Sequence, residues 1–391
     1  MFDTHILYLG YYCPDELFEE LYRQDKDVSV AAHKLEKQLI SHLKEHKDVN
    51  LTVLSSIAME ERAGVAEKKG WCEDSIQYVW RKRGSGIALS NLRKVYKSVQ
   101  NWLNQTEGQQ RVVLAYAINP TLLWPLFVGR RSVKVVTICT EIPRFRIIPG
   151  KAWAVSIKKY ISEWFNSRMD GYVFLSKQMN DVTNPKENPY IVIEGFPDIP
   201  MEPVFPENDS TRPEKLFYAG YLHKDNGVDV LLDGFSRLSR NDVSLVLCGT
   251  GDLVPEIQRL SETDSRICYL GSVTNDRVLK LEREATLLIN PRKPDHPLTR
   301  YSFPSKTFEY FTSGTPTMMS RLDGIPEEYY QYCYTCDVTS ADAFLADLEQ
   351  VLSISGAERD KNAKSAFEFV VTKKSSAMQV GHLLEYLERL V

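Results

Sequence analysis

The stretch Ser302-Phe303-Pro304-Ser305-Lys306-Thr307-Phe308-Glu309-Tyr310-Phe311-Thr312-Ser313-Gly314-Thr315-Pro316 carries a cation and a carboxylate at a spacing that suits a nucleotide diphosphate. Pro304 fits the first turn of a helix, Gly314 fits the left-handed residue after the last turn, and Pro316 forbids continuation. A helix of roughly ten residues is predicted between them. Lys306 falls in its first turn, where the positive end of the helix dipole disfavours a cation by about 0.3 to 1 kcal/mol unless an anion lies between. A phosphate supplies that anion. Glu309 shares the helical face of Lys306, so a carboxylate that accepts two hydroxyl hydrogen bonds comes within reach of a ribose. The competing reading is a solvated Lys–Glu pair.

The elements that must position this pair alternate. From about residue 213, strand-like runs at 215–220, 243–249, 267–271, 286–291 and 317–320 are separated by helical patterns at 228–238, 254–260, 276–284 and the segment above. That order predicts a parallel, doubly wound sheet. Such sheets bind ligands at the C-terminal ends of their strands, which is where Gly220, Gly249, Gly251 and Gly271 fall. The N-terminal half repeats the theme, with buried-strand runs at 6–10, 51–55, 112–117, 133–140, 172–176 and 191–195. Five prolines between Pro197 and Pro213 mark the connection between two domains.

The order Tyr218-Ala219-Gly220 through Asn226-Gly227-Val228, then Leu247-Cys248-Gly249-Thr250-Gly251, Tyr269-Leu270-Gly271-Ser272-Val273 and Phe303 through Pro316 resembles the donor half of GT-B glycosyltransferases, family 4, the retaining glycosyl transferases group 1 of polysaccharide-biosynthesis type. The resemblance covers most of residues 213–330. It implies an α/β protein of GT-B fold, with two Rossmann-like doubly wound domains facing across a cleft. Residues 1–196 would form the acceptor side, 197–361 the nucleotide-sugar domain, and 362–391 a terminal helix packing back on the first domain. Glu194-Gly195-Phe196-Pro197-Asp198 resembles the family's hinge. The implied activity moves a sugar from a nucleotide-diphosphate sugar to a glycan or lipid-diphosphate-linked acceptor, with no metal and no cofactor beyond the donor. By resemblance Glu309 holds the ribose, Gly220 faces the diphosphate, and Ser272 and Val273 lie beside the base. Gly10, Lys224, Gly249, Ser305 and Lys306 complete the expected donor set.

Three positions depart from the family. Its two diphosphate-neutralising cations fall on Tyr221 and Asn226, and the partner glutamate eight residues before Glu309 falls on Tyr301. Breaking a sugar–phosphate bond leaves a highly charged diphosphate, so positive charge must come from elsewhere. Lys224, Arg292, Arg300 and Lys306 remain, and Arg300 and Lys306 are taken as catalytic. Asp295 could replace the sugar contact, against the reading of an exposed loop residue. Where the family often has a His after the strand matching 133–139, this chain has Thr140 and Glu141. Glu141 is the expected acceptor-side carboxylate, as general base or orienting group, with a helix-capping role as the alternative.

At 391 residues, 43% hydrophobic and 26% charged, the chain has room for two globular domains. Met1-Phe2-Asp3-Thr4-His5 leads straight into a strand and reads as no signal peptide. The apolar run 112–128 is broken by Asn119-Pro120 and Pro125 and suits a strand and helix better than a membrane span. A cytoplasmic protein is expected, with the inner face of the membrane as an option. Seven cysteines imply reduced thiols, and Cys333-Tyr334-Thr335-Cys336 lacks the further ligands of a metal site. Asp25 and Asp27 sit in a polar stretch and read as a solvated face.

Residues 51–150 hold 15 Lys and Arg against 7 Asp and Glu, a local charge of +8. Arg130, Arg131, Lys134, Arg144, Arg146 and Lys151 lead into a predicted helix over 152–168, with Trp153, Ile157, Ile161 and Trp164 on one face and Lys158 and Lys159 beside them. Either this face meets a membrane surface or it packs in the core under a basic rim. No nucleic-acid motif accompanies it. Two alternatives to transfer stand: a GT-B sugar-nucleotide epimerase, and a catalytically inactive nucleotide-sugar-binding subunit of an active enzyme.

Overall fold

The computed structural model describes residues 4–24, 29–59, 76–82, 89–128, 133–142, 152–200, 205, 213–295 and 299–391. Two compact units emerge, one of Met1–Phe196 with Ser376–Val391 and the other of Pro197–Ser375.

In the first unit, β1 (Thr4–Gly10), β2 (Val49–Met59), β3 (Ile76–Lys82), β4 (Arg111–Tyr116), β5 (Lys134–Cys139), β6 (Gly171–Phe174) and β7 (Tyr190–Val192) form one sheet in the order β3-β2-β1-β4-β5-β6-β7. Every pairing is parallel. β1, β4 and β5 are buried on both faces, as their continuous aliphatic runs require. The helices are α1 (Asp15–Gln24), α2 (Val30–Glu45), α3 (Leu89–Gln105), α4 (Pro120–Phe127), α5 (Ala152–Asn166) and α6 (Met179–Thr183).

The second unit repeats the scheme with β8 (Glu214–Tyr221), β9 (Val243–Thr250), β10 (Ile267–Tyr269), β11 (Leu287–Asn290), β12 (Thr317–Ser320) and β13 (Tyr334–Cys336). Their order is β10-β9-β8-β11-β12-β13, again parallel throughout. α7 (Val228–Arg237), α8 (Val254–Thr263), α9 (Asn275–Glu284), α10 (Lys306–Thr312), α11 (Ala341–Ser353) and α12 (Gly356–Phe369) complete it. In both sheets the winding direction reverses between the first and fourth strands of the unit, β1 and β4 or β8 and β11. A crevice opens outside the strand ends at such a reversal.

The strands expected from sequence are all present, but β3 was not among them. It is an edge strand in which Gln77 is exposed while Ile76 and Val79 are buried, and Gln77 with Arg81-Lys82 leaves it without the continuous apolar run that marks the other strands. The terminal segment expected over 362–391 divides. α12 belongs to the second unit, and only α13 (Ser376–Leu390) joins the first. A π-type turn at Val370–Lys374 separates them without a Pro or Gly to signal it. α13 is tied into its unit by Tyr386, whose hydroxyl accepts from the Tyr172 amide at 3.0 Å and donates to the Pro189 carbonyl at 2.7 Å.

Cys333 and Cys336 are buried free thiols, and burial pushes Cys333 up to about 12, which leaves it unreactive. Among the described residues no group of three His, Cys, Asp or Glu side chains could hold a metal, and no helix is long and apolar enough to cross a membrane. Asp25, Asp27, Arg130, Arg131, Arg144, Arg146, Lys151 and much of 197–213 lie outside the described residues. Along α5, Trp153, Ile157, Ile161 and Trp164 are 67%, 51%, 39% and 37% exposed, with Tyr160 beside them, so this stripe is not core packing.

One buried ion pair links α12 to the start of β8. Arg359, 4% exposed, donates through both terminal nitrogens to the Glu214 carboxylate. Burial would raise the Glu214 pKa, but the hydrogen bonds and charge of Arg359 outweigh it and hold the carboxyl below its ordinary range. The stability it contributes is therefore full above the ordinary carboxylate pKa and lost as pH falls through the depressed one. Arg359→Ala should destabilise the second unit by about 3 to 5 kcal/mol in urea unfolding at pH 7, because it strands a buried carboxylate. The deficit should shrink on acidification.

Candidate active site

The site is built where β8 and β9 end. Gly220 pairs with Gly249, and Gly249 has φ +133°. A Cβ there would lie 1.8 Å from the Gly220 carbonyl oxygen, so only glycine lets the two strand ends abut. Gly249 in turn donates its amide to the Gly271 carbonyl at 2.9 Å, which brings the segment after β10 to the same rim. There Ser272 is exposed, while Val273 packs on the cluster of Phe217, Ala219, Cys248 and Tyr310.

α10 delivers its charged pair to this rim because the rest of the helix is anchored. Thr307, Phe308, Tyr310, Phe311 and Thr312 are buried. Phe308 packs on Phe303 with ring centroids 4.9 Å apart, and Tyr310 is fully buried under β8 and β11. What remains outward is Lys306 and Glu309, whose Nζ and Oε1 lie 3.6 Å apart, each side chain about a quarter exposed. The Lys306 stem crosses Gly220, with Cε 3.2 Å from where a Cβ would stand. The helix covers seven residues, shorter than expected, and ends as the sequence requires with Gly314 at φ +80°. Ser305 precedes it, exposed and with no side-chain capping bond.

The loop after β8 is internally satisfied. Asn226 donates its amide to the Tyr221 carbonyl at 2.7 Å, and Tyr218 donates its hydroxyl to the same oxygen at 3.1 Å. Tyr221 stacks on His223, with ring centroids 5.6 Å apart. Lys224 opens a short 3-10 turn, exposed to solvent. The residues standing where the family carries cations thus make a neutral scaffold.

A second cation comes from the other side of the winding reversal. Arg292 follows β11, and burial lowers its guanidinium pKa while Tyr218 and Asp225 pull the other way. It remains charged at neutral pH and is less than fully hydrated, which strengthens its attraction for an anion. Arg300, one of the two cations taken as catalytic, is placed elsewhere: its Nε lies 3.7 Å from Asp323 Oδ2, with both side chains more than half exposed. Asp295 is exposed.

In the first unit, Gly10 is buried at the end of β1, and a Cβ there would lie 2.3 Å from Glu36 Oε1 and 2.5 Å from the Tyr8 ring. Glu141 is exposed just beyond β5. Beside it, Tyr116 is hydrogen-bonded to Thr140, and burial, Glu36 and Glu141 all raise its pKa. Ala117 holds φ +56° at the end of β4, a left-handed conformation uncommon outside glycine and often found at functional rims. Sequence reading missed Glu36 and Ala117. The first had a legible signal, since Glu36 falls on the stripe His33, Ile40, Leu43 that α2 buries.

Residues 213–353 match the model of the family Glycosyl transferases group 1. Among solved structures, the lipopolysaccharide outer core galactosyltransferase WaaB in its apo form is 12% identical, with a TM-score of 0.64 over 99% of this chain and 100% of that one. Anabaena HepE in complex with UDP is 13% identical, with a TM-score of 0.64 over 98% and 100%. The E. coli trehalose-6-phosphate structure bound with UDP-2-fluoro glucose is 10% identical, with a TM-score of 0.66 over 99% of each. The chain therefore has the GT-B fold, α/β with two parallel-sheet Rossmann-like domains, and the stretch that matches the glycosyl transferases group 1 model lies within its second unit.

The rim geometry separates two glycines that sequence treats alike. Gly249→Ala should cost several kcal/mol, because its Cβ meets backbone that cannot move aside. Gly271→Ala, at φ +72° with nothing within 4 Å of a Cβ, should cost only about 1 to 2 kcal/mol. Urea unfolding of the two variants checks the contrast.

Proposed function

We propose that this chain is a glycosyltransferase moving a sugar from a nucleoside diphosphate sugar to the hydroxyl of a glycan or lipid-linked acceptor, with retention of configuration and without a metal ion. The observation that carries the reading is the Lys306 ammonium, its stem laid across Gly220 at the winding reversal and Glu309 3.6 Å away. In this scheme the diphosphate lies over Gly220 and Gly249, Glu309 takes the ribose hydroxyls, and Ser272 and Val273 border the base. Lys306 and Arg292 stabilise the charge left on the diphosphate as the bond from its oxygen to the sugar's anomeric carbon breaks. The acceptor oxygen bonds to that carbon, and Glu141 orients the hydroxyl or takes its proton.

The neutral Tyr221–Asn226 scaffold favours a second reading, a nucleotide-sugar-binding subunit without turnover. Either reading needs the donor site. The uridine nucleotides held by Anabaena HepE and by the E. coli structure make UDP the first to test. Thermal unfolding with UDP, GDP, ADP and CMP should show one nucleotide stabilising the wild type by about 2.7 kcal/mol at a hundredfold excess over its Kd. The shift should disappear in Lys306→Ala and Glu309→Gln. No response to any nucleotide would sink both readings.

The exposed stripe of α5 supports an acceptor presented at a membrane. Trp153, Ile157, Tyr160 and Trp164 share one face, Lys158 lies exposed beside them, and the Arg168 guanidinium sits 3.6 Å from the Trp164 ring centroid. Aromatic rings suit the lipid interface, and each basic residue near anionic lipid adds about 1 kcal/mol. Co-sedimentation with phosphatidylglycerol vesicles should exceed that with phosphatidylcholine and fall several-fold in Trp153→Ala/Lys158→Ala. Equal sedimentation of variant and wild type removes the membrane role.

A further inference from the structure

The first unit holds a buried carboxylate that the proposed transfer leaves unused. Glu36, on α2, is 1% exposed. Its Oε1 accepts from the Tyr8 hydroxyl and from the Tyr11 main-chain amide, each at 2.8 Å, and the Tyr12 amide donates to the same carboxylate. These amides belong to the turn by which the chain leaves β1, at the winding reversal between β1 and β4. The turn reaches outward from there. The Asn119 amide donates to the Tyr11 hydroxyl at 3.2 Å, Ser55 donates to the Tyr12 carbonyl at 2.6 Å, and Tyr11 meets Tyr116 edge-on with centroids 6.2 Å apart. Through Thr140, Tyr116 continues to the end of β5, where Glu141 stands. One carboxylate thus braces the ends of β1, β2, β4 and β5.

We infer that Glu36 is a proton-sensitive positioning residue: as a carboxylate it clamps the Tyr11–Tyr12 turn and fixes the rim that presents Glu141, and taking up one proton loosens the clamp. The inference rests on the acceptor-side reading of this rim. The ionised group accepts from all three donors through charge-assisted hydrogen bonds, whereas protonation turns one accepting position into a donor facing other donors and weakens the bonds that remain.

The surroundings make that proton available. Burial raises Glu36 to about 7, with the hydrogen bonds from Tyr11, Tyr8 and Tyr12 opposing it. The titratable groups facing it are Tyr8 from β1, Tyr11 and Cys13 from the turn, and Tyr116 from β4. Burial pushes Cys13 up to about 12 and raises Tyr8 and Tyr116, so these groups stay protonated at neutral pH and supply no compensating charge. On α2 itself, His33 and Lys37 are engaged with Asp15 at 3.0 and 2.5 Å.

The test is a pH titration of the full-length chain from pH 5 to 9, following the backbone amide resonances of Tyr11 and Tyr12. In the wild type both should move together with a midpoint near 7, and in Glu36→Gln that transition should vanish. Tyr8→Phe removes one donor from the carboxylate, so its midpoint should move upward; it also keeps the test open if Glu36→Gln fails to fold. A wild-type midpoint near 4.5, or an unchanged midpoint in Tyr8→Phe, overturns the inference. Linkage gives a second readout. The folded state keeps the proton between 4.5 and about 7, so Glu36's contribution to stability should fall as pH rises through that window and level off above it. None of these measurements uses a nucleotide, so their failure leaves the donor site standing, and a missing nucleotide response leaves the clamp standing.

Discussion

The contact on which the second unit turns is a backbone approach, Gly249 against the carbonyl of Gly220. Parallel strands end together, and their last residues must turn away without side chains if a ligand's phosphates are to come close to main-chain amides. Two glycines in register satisfy that requirement and leave a shallow floor. The Lys306 stem can then lie across Gly220, because no side chain rises from it. The buried aromatic face of α10 holds that lysine in place, and the same face turns Glu309 outward. Packing, chain reversal and charge placement are therefore consequences of one close approach.

The two units share a winding order and use it differently. In the second, the reversal between β8 and β11 gathers cations, Lys306 from one side and Arg292 from the other. In the first, the equivalent reversal is braced by a buried carboxylate and lined with tyrosines. One rim is cationic and the other is lined by neutral hydroxyls. The difference arises from side chains on a common backbone plan.

Much of this was legible in the sequence. The pair Lys306–Glu309 could be placed on one face because helix spacing fixes it, and Gly314 and Pro316 marked the helix end for stereochemical reasons. Parallel strands buried on both faces announce themselves as aliphatic runs, which is why β4 and β9 could be placed within a residue of their observed ends. What could not be read were choices made by tertiary contact. Arg292 and Arg300 are equivalent on paper, yet one is half-buried near Tyr218 and the other pairs with Asp323 at the surface. Glu36 looks like one more charge on a lysine-rich helix until the apolar stripe around it is drawn. The π-type turn that divides α12 from α13 preserves helical periodicity and so hides the boundary.

The chain crosses between units twice, at Phe196–Pro197 and again at Ser375–Ser376. The second unit is thus an insertion within the first, and the first is completed only by α13. During vectorial synthesis residues 197–375 are all available before residue 376 is made, so the second unit can close while the first still waits. Until then the Tyr172 amide and the Pro189 carbonyl lack Tyr386, and the apolar surface under Val380, Leu383 and Leu387 stays open. The unit begun first is the last to be finished, and its exposed interior is the nascent chain's period of greatest vulnerability to misassembly.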